Sequence, residues 1–269
     1  MPYLKTSIGA TPEWVDELPV KEDNAVSIPV EKKVDMSPVV DEQMASFCAA
    51  HYGSDGLNGR FNRPDSLEFF AGGASGGGGK FEDPTMRELA TQRFHTDVQN
   101  LMCKMIDMKG ASIIDVGAGT GLFLNLFSSM VGDTGNVFAI DITPSFVTFM
   151  RERVQKEHLQ DSVHVSLCTS KETLLSKKEN NLADAAFICD VYHHFEYPKT
   201  FMKDLRDNLK TNGMVFLVDF YRQPSKMISH EPQWALDHIR ADRETFLKEV
   251  EDSGFVSCLC VGDIYRKNS

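Results

Sequence analysis

A glycine-rich run behind a short apolar segment carries the residue types needed to hold a nucleotide-like cofactor. The run reads Asp-x-Gly-x-Gly-x-Gly over residues 115–121, and residues 111–116 are mostly apolar and partly β-branched. Glycine adopts backbone conformations that side chains obstruct, and it lets the backbone approach a ligand closely. Apolar residues then recur at helical spacing over residues 122–130. The pattern predicts a buried strand, a glycine turn and a helix.

An acidic residue follows at the position where a ribose needs an anchor. A second apolar segment, residues 136–140, ends in Asp141, whose carboxylate can accept both hydroxyls of a ribose. The glycine spacing separates two cofactor classes. The dinucleotide fingerprint is G-x-G-x-x-G, whereas this chain has Gly121 one residue earlier and Leu122 at the third position. The spacing therefore disfavours NAD as the cofactor.

The rest of the chain alternates strand-like and helix-like segments, which is typical of an open parallel α/β sheet. The further strands are predicted over residues 163–167, 183–189, 214–220 and 255–261, and two helices over residues 197–209 and 243–253. Ligands of such sheets bind beyond the carboxyl ends of the strands. The glycine turn and Asp141 both fall at that edge.

The motif Asp115-x-Gly117-x-Gly119-x-Gly121 resembles motif I of the class I S-adenosylmethionine (SAM) methyltransferases. Over residues 85–267 the chain is similar to small-molecule methyltransferases of the ubiquinone-biosynthesis type. The resemblance implies a Rossmann-like, doubly wound, mostly parallel seven-stranded sheet with a C-terminal antiparallel hairpin. Residues 262–263, Gly-Asp, are expected to form the turn of that hairpin, and residues 264–268 its last strand.

The resemblance also implies a set of residues that bind SAM. These are Asp115, Gly117, Ala118, Gly119, Gly121, Asp141, Ile142, Thr169 and Asp190. One departure concerns the adenine, because many relatives place an acidic residue after the third strand and this chain has Cys168-Thr169-Ser170-Lys171 there. Thr169, Ser170 or the backbone is expected to accept the hydrogen bond from the adenine amino group instead.

Residues 189–195, which read CDVYHHF, end the fourth predicted strand, where this family holds its motif IV beside the transferable methyl group. His193 and His194 are the candidate catalytic residues, because a histidine near its ordinary pKa can remove a proton at neutral pH. We expect one of them to touch the acceptor, and the other to cap a helix or satisfy backbone groups. No metal is expected, since the carboxylate-rich pattern of magnesium-dependent catechol-type methyltransferases is absent.

Two further polar clusters, residues 219–222 and 238–240, are predicted at the same rim of the sheet. The arginines of these clusters could clamp a carboxylate or phosphate of the methyl acceptor, and surface salt bridges explain them equally well. The clamp favours a small acidic acceptor with an oxygen, nitrogen or sulfur nucleophile. The predicted substrate-binding residues are Tyr192, Tyr221, Arg222, His238 and Arg240.

The first eighty residues differ in composition from the rest. Prolines are scattered among charges up to residue 40, and residues 72–79 read GGASGGGG, which is typical of a flexible linker. We therefore expect residues 1–80 to form a flexible N-terminal extension and residues 81–269 to form the methyltransferase domain. The alternative for residues 41–70 is a lid over the substrate, and a predicted helix over residues 85–108 is a second candidate for that role.

Composition narrows the classes of partner. A formal net charge of −11 and the absence of a basic cluster argue against nucleic acid as substrate. No segment has the length and apolar content of a membrane span, and the six cysteines lack a CxxC pair, so a cytoplasmic protein with reduced thiols is expected. An NAD(P)-dependent oxidoreductase and a catalytically silent SAM-binding protein are the alternative functions. The pattern assigns no oligomeric state.

Overall fold

The protein is a parallel β-sheet with helices on both faces. The computed structural model describes residues 2–5, 56–63, 65–71, 84–176, 182–227, 231–256 and 259–260. The strands are β1 Pro2–Lys5, β2 Ser112–Val116, β3 Asn136–Asp141, β4 Val163–Leu167, β5 Ala183–Cys189, β6 Leu209–Asp219 and β7 Leu259–Cys260. Their order in the sheet is β4-β3-β2-β5-β6-β1-β7, and every pairing is parallel.

Helices follow the strands in the alternation that the sequence predicts. The helices are α1 Ser66–Ala71, α2 Pro84–Met105, α3 Leu124–Val131, α4 Pro144–Lys156, α5 Pro198–Asp207, α6 Pro232–His238 and α7 Arg243–Asp252. Several of them begin with a proline, which lacks the N–H that a first helical turn leaves unpaired. Asp242 caps α7, because its side chain accepts a hydrogen bond from the Thr245 N–H. None of the helices in the described ranges is long and apolar enough to cross a membrane.

The core consists of two apolar layers, one on each face of the sheet. Ile113 of β2 belongs to the layer shared with α2, α3 and α4, and its neighbour Ile114 belongs to the layer shared with α5 and α7. Both side chains are buried, which is why β2 reads as a continuous apolar run rather than an alternating one. Phe127 and Phe187 meet edge to face in the first layer, with ring centroids 5.2 Å apart.

The sheet positions a ligand site at the point where its strand order reverses. The strands β2, β3 and β4 extend to one side, and β5 and β6 extend to the other. Helices that follow β2 and β5 therefore leave on opposite faces and open a crevice above the carboxyl ends of these two strands. The glycine turn follows β2, and the motif at residues 190–195 follows β5.

The α/β Rossmann-like fold with a parallel sheet is confirmed, and its predicted edge is not. The five long strands β2 to β6 are those that the sequence predicts. The short β7 pairs in parallel with β1, a segment that the sequence assigns to the flexible extension. The expected hairpin turn and its last strand, residues 262–268, lie outside the described residues, so a hairpin-closed sheet of seven strands is not confirmed.

One strand starts earlier in the structure than the sequence predicts, and the reason is local. The fifth predicted strand starts at residue 214, whereas β6 starts at Leu209, because a register shift between Ala183 and Ala185 absorbs the extra residues of β6. The helix α5 correspondingly ends at Asp207 rather than at residue 209. The Asn-Gly pair at residues 212–213 therefore lies within this strand and does not end the helix.

Candidate active site

A cavity of about 270 Å³ lies at the carboxyl ends of β2, β3 and β5. It is lined by most of the residues that the resemblance assigns to SAM, from four different stretches of chain. The predicted residues that line it are Asp115, Gly117, Ala118, Gly119, Asp141, Ile142, Thr169, Asp190 and His194. The structure therefore brings the predicted cofactor residues together, with Gly121 as the exception.

The three glycines of the motif have different physical roles. All three have positive φ, at +65° for Gly117, +59° for Gly119 and +85° for Gly121. A Cβ on Gly117 would lie 2.6 Å from Val191 Cγ2, whereas a Cβ on Gly119 would meet nothing within 4 Å. Gly119 thus leaves open space at the cavity floor. Gly121 does not line the cavity, and its N–H closes the turn onto the Ala118 carbonyl oxygen at 2.8 Å.

Asp141 is fixed by the glycine turn that it faces. Its Oδ2 accepts a hydrogen bond from the Gly119 N–H, and its Oδ1 accepts one from the Thr143 N–H, each at 2.8 Å. The side chain is buried, and burial raises its pKa to about 6 against the opposing effect of these hydrogen bonds. A carboxylate held by two backbone donors keeps further lone pairs directed at the cavity, and hydroxyl groups are suitable donors to them.

Asp115 ends β2 with a carboxylate oxygen that has no partner. Among the described residues, no donor reaches its buried Oδ2. Burial raises its pKa to about 8, and the negative charge of Asp141 adds to the effect. A buried carboxylate without a partner is costly, so this oxygen suits a ligand that brings a positive charge or a hydrogen-bond donor.

Asp190 provides a third carboxyl group to the lining of the cavity. Its φ of +56° is unusual for a residue with a side chain, and its N–H donates to the Val218 carbonyl oxygen at 2.8 Å. Burial raises its pKa to about 7, a protonated His193 would lower it, the charge of Asp219 raises it further, and the charge of Arg60 opposes this. Three carboxyl groups with raised pKa values, those of Asp115, Asp141 and Asp190, therefore line the cavity.

These pKa values predict that the ligand-free protein loses stability as the pH rises from 6.5 to 8.5. A carboxyl with a raised pKa binds a proton in the folded state that it lacks in the unfolded chain, which costs about 1.4 kcal/mol per pH unit until the folded pKa is passed. Urea unfolding across this range should show a smaller decline in Asp115→Asn, by about 2 kcal/mol, because Asp115 titrates near pH 8. Identical declines in both proteins would contradict the assignment.

The two adjacent histidines lie in different surroundings. His194 lines the cavity, whereas His193 does not and is buried behind it. His193 is oriented by Asp219, whose Oδ1 lies 2.7 Å from its Nδ1 and whose Oδ2 accepts its backbone N–H at 3.0 Å. Burial holds the pKa of His194 well below its usual value, and neighbouring positive groups add to the effect. His194 is therefore a neutral imidazole near pH 7.

Part of the segment 41–70, for which the sequence left a lid as the alternative to a flexible extension, lines the cavity. Residues 57–62 form a 3₁₀ turn that is followed by α1, and Asn58, Phe61, Asn62 and Phe70 line the cavity. The Asn58 side chain donates to the His194 carbonyl oxygen at 3.1 Å. Phe61 and Phe70 both contact the ring of Phe146, with centroids 6.4 and 5.5 Å away. The only sequence signal for this cover is its three phenylalanines in an otherwise polar stretch.

The structure does not bring the two predicted arginine clamps to the cavity. Arg240 is buried in a two-pronged ion pair with Glu249, with both N–O distances at 2.6 Å. Arg222 donates to the carbonyl oxygens of Leu236 and Ile239 at the end of α6. Neither arginine lines the cavity, and these contacts tie both guanidinium groups to other parts of the protein. Both positions are corrected from substrate-binding to structural.

The other predicted acceptor contacts are also displaced from the cavity. Tyr192 is fully buried and donates from its hydroxyl to Glu249 Oε2 at 3.1 Å, so it belongs to the Arg240 ion pair. Tyr221 is buried with the Lys226 ammonium 3.7 Å from its ring centroid. His238 is buried beside His193 and His194, with ring centroids 5.1 and 4.9 Å away, and does not line the cavity. These side chains end up below the acceptor rim because β6, α6 and α7 pack over them.

Two thiols and one hydroxyl complete the wall. Cys168 and Cys189 both line the cavity. Burial raises the pKa of Cys168 to about 12 and that of Cys189 well above its usual value, so both are neutral thiols. Thr169 lines the cavity while its Oγ1 accepts the N–H groups of Lys171 and Glu172, at 3.2 and 2.9 Å. Its hydroxyl is thereby partly engaged in holding the loop.

The family comparison agrees with this geometry. A family model described as "Methyltransferase domain" matches residues 107–259. A 2-phytyl-1,4-naphtoquinone methyltransferase of Trichormus variabilis is 24% identical over 148 residues, 55% of this chain and 63% of the relative. A ubiquinone biosynthesis O-methyltransferase of Xanthomonas oryzae pv. oryzae is 30% identical over 121 residues, 45% of this chain and 47% of the relative. The chain thus spans about half to two thirds of the length of these relatives.

Solved structures share the fold at lower sequence identity. A SAM-dependent methyltransferase from Aquifex aeolicus superposes with a TM-score of 0.53 at 22% identity, covering 65% of this chain and 89% of that one. The plantazolicin methyltransferase BpumL, solved with S-adenosylhomocysteine (SAH), gives a TM-score of 0.53 at 18% identity, covering 78% and 77%. The family model covers more than half of the chain, from just before β2 to the first residue of β7. The chain therefore belongs to the methyltransferase-domain family, which confirms its resemblance to the class I SAM-dependent methyltransferases.

Proposed function

We propose that this protein transfers the methyl group of SAM to a small aromatic acceptor. The observation that carries the proposal is the single cavity in which Asp141 and the glycine turn face aromatic rings of the covering segment. Asp141 is placed to accept the ribose hydroxyls, and Gly119 leaves the space for them. The carboxyl groups of Asp115 and Asp190 face the positively charged methionine end of SAM, whose charge favours their ionised form. Its family and its relatives' names support this cofactor.

The lining of the cavity favours a neutral aromatic acceptor over the acidic one that the arginine clamp suggested. Among the described residues that line it, none is Lys or Arg, and four are acidic. An anionic acceptor would therefore face repulsion rather than a cationic partner. Phe61, Phe70 and Phe195 instead provide flat apolar surface around His194. One relative is named for a naphtoquinone and another for O-methylation in ubiquinone biosynthesis, which supports an acceptor such as a phenol or hydroquinone.

The residues of this chain mainly have to align the reactants, exclude water and receive a proton. When bound, SAM supplies a methyl group that is already activated on its sulfonium. The covering segment excludes water, and the aromatic rings orient the acceptor for in-line attack. His194 is neutral and lines the cavity, so its Nε2 can take the proton of an acceptor hydroxyl as the oxygen–methyl bond forms and the methyl–sulfur bond breaks, once Arg60 no longer donates to that nitrogen. We further propose that residues 56–71 act as a cover over this acceptor end of the cavity.

A labelled-methyl assay with Phe61→Ala tests the proposed acceptor class. Wild type should label simple phenols and hydroquinones in preference to carboxylate metabolites and thiols. Phe61→Ala should raise the KM for the labelled phenol by roughly tenfold, because part of a buried aromatic contact is lost. Phe69→Ala is the matched control, since Phe69 is half exposed and lies outside the cavity lining. Preferential labelling of carboxylates, or equal effects of the two variants, would contradict the proposal.

A further inference from the structure

Three histidines meet beside the cavity, and a cation already lies against two of them. One ring nitrogen from each of His193, His194 and His238 lies within 4.8 Å of the others, and all three residues are buried. The Arg60 Nη2 lies 3.1 Å from His194 Nε2 and 3.4 Å from His238 Nε2. A guanidinium only donates hydrogen bonds, so both imidazoles direct a lone pair at it. Neutral nitrogens with lone pairs directed at one point are the donors that a transition metal requires.

His193, the third histidine of the cluster, is oriented as a metal ligand would be. Its Nδ1 lies 2.7 Å from Asp219 Oδ1, which assigns the Nδ1 proton to that contact and leaves a lone pair on Nε2. The His193 Nε2 has no hydrogen-bond partner among the described residues, although its side chain is only 1% exposed. The carboxylate is itself fixed by the N–H groups of His193 and Phe220. A carboxylate behind a histidine in this manner orients the ring and strengthens its basic nitrogen toward a metal.

The geometry points to a binding site for a divalent transition metal such as Zn²⁺ at His193, His194 and His238, which Arg60 occupies in its place. Imidazole nitrogens select this class of metal, whereas Mg²⁺ prefers oxygen ligands. A tetrahedral zinc needs Zn–N distances of about 2.0 Å, so the rings must approach by roughly 1 Å once the guanidinium leaves. Asp219 and Asp190 lie beside the cluster and offset the charge of the ion. The site does not depend on whether the neighbouring cavity binds SAM.

Metal binding and the Arg60 contacts exclude each other. Arg60 belongs to the covering segment, and it reaches the cluster from the 3₁₀ turn at residues 57–62. The ion can enter only when this side chain withdraws, so the measured affinity contains the free energy of breaking the Arg60 contacts. Removing the guanidinium without touching a ligand should therefore strengthen metal binding. If the three histidines only stabilise the structure, removing the guanidinium should not strengthen metal binding, because the histidines would lose their hydrogen-bond partner.

Zinc titration of untagged protein tests this site directly. Protein dialysed against EDTA is titrated with ZnCl₂ in the presence of a chromophoric zinc chelator. Wild type should bind one equivalent, Arg60→Met should bind it at least tenfold more tightly, and His238→Gln should bind it at least tenfold more weakly. His164→Ala is the control, because His164 is exposed on β4 far along the chain from the cluster. X-ray absorption at the zinc edge should show three nitrogen ligands.

Two outcomes would overturn the site. One is zinc binding in Arg60→Met that is no tighter than in wild type, and the other is unchanged binding in His238→Gln. Circular dichroism and thermal melting report whether His238→Gln is folded, and Arg60→Met keeps the test decisive if it is not. SAH binding is measured separately in the absence of zinc, so a failure of the metal site is distinguishable from a failure of the proposed methyl transfer.

Discussion

Arg240→Met is expected to lower the free energy of unfolding by about 3–5 kcal/mol. The substitution removes one half of a buried ion pair whose side chains are 0% and 3% exposed. Glu249 would then keep its charge in an apolar layer, where the Tyr192 hydroxyl still donates a hydrogen bond to it. Urea unfolding at pH 7 measures the loss. An arginine that clamped the acceptor would instead affect methyl transfer and leave stability nearly unchanged.

Two variants separate the buried charge from other effects of this substitution. Arg243→Met should cost no more than about 0.5 kcal/mol, because the Arg243–Glu244 pair is largely exposed. The double variant Arg240→Met with Glu249→Leu should recover most of the loss, since replacing both partners of a buried ion pair by apolar groups is often neutral. The Tyr192 hydroxyl then loses its acceptor, which costs about 1 kcal/mol. A double variant as unstable as the single one would contradict this explanation.

Asp141→Ala is expected to weaken SAM and SAH binding by roughly 10- to 150-fold, or about 1.5–3 kcal/mol. In the proposed function this carboxylate accepts the ribose hydroxyls through charge-assisted hydrogen bonds. Its loss also frees the N–H groups of Gly119 and Thr143, so the glycine turn itself loses its anchor. Calorimetric titration with SAH measures the affinity.

A matched control keeps this result specific to the ribose contact. Asp133→Ala removes an exposed carboxylate from the turn before β3 and leaves the cavity intact. It should bind SAH as wild type does. An Asp141→Ala protein that is folded and binds SAH with unchanged affinity would remove Asp141 from the cofactor site.

The cofactor half of the site follows from local sequence, which is why it could be predicted. The strand β2, the glycine turn and Asp141 lie within 30 residues of one another, and each depends on a short-range rule of backbone conformation or strand burial. The position of Asp190 follows equally from the end of β5. Because the carboxyl ends of neighbouring parallel strands meet at one edge, these residues had to converge.

The acceptor half depends on contacts between distant parts of the chain, and these the sequence could not decide. Asn58 and His194 are 136 residues apart, and nothing in the spacing of either indicates the other. Arg240 belongs to a cluster that precedes the last helix and is predicted at the rim, but a glutamate on α7 nine residues later pairs with it in the interior. An arginine near a predicted site is assigned correctly only when its carboxylate partners are known.

The central claim is that the cavity between the glycine turn and residues 56–71 binds SAM. Isothermal titration calorimetry of the whole chain with SAH, SAM and NADH tests it most directly. We expect one molecule of SAH bound per chain, displacement of SAH by SAM, and no heat of binding with NADH. Saturable binding of NADH without any response to SAH or SAM would contradict it.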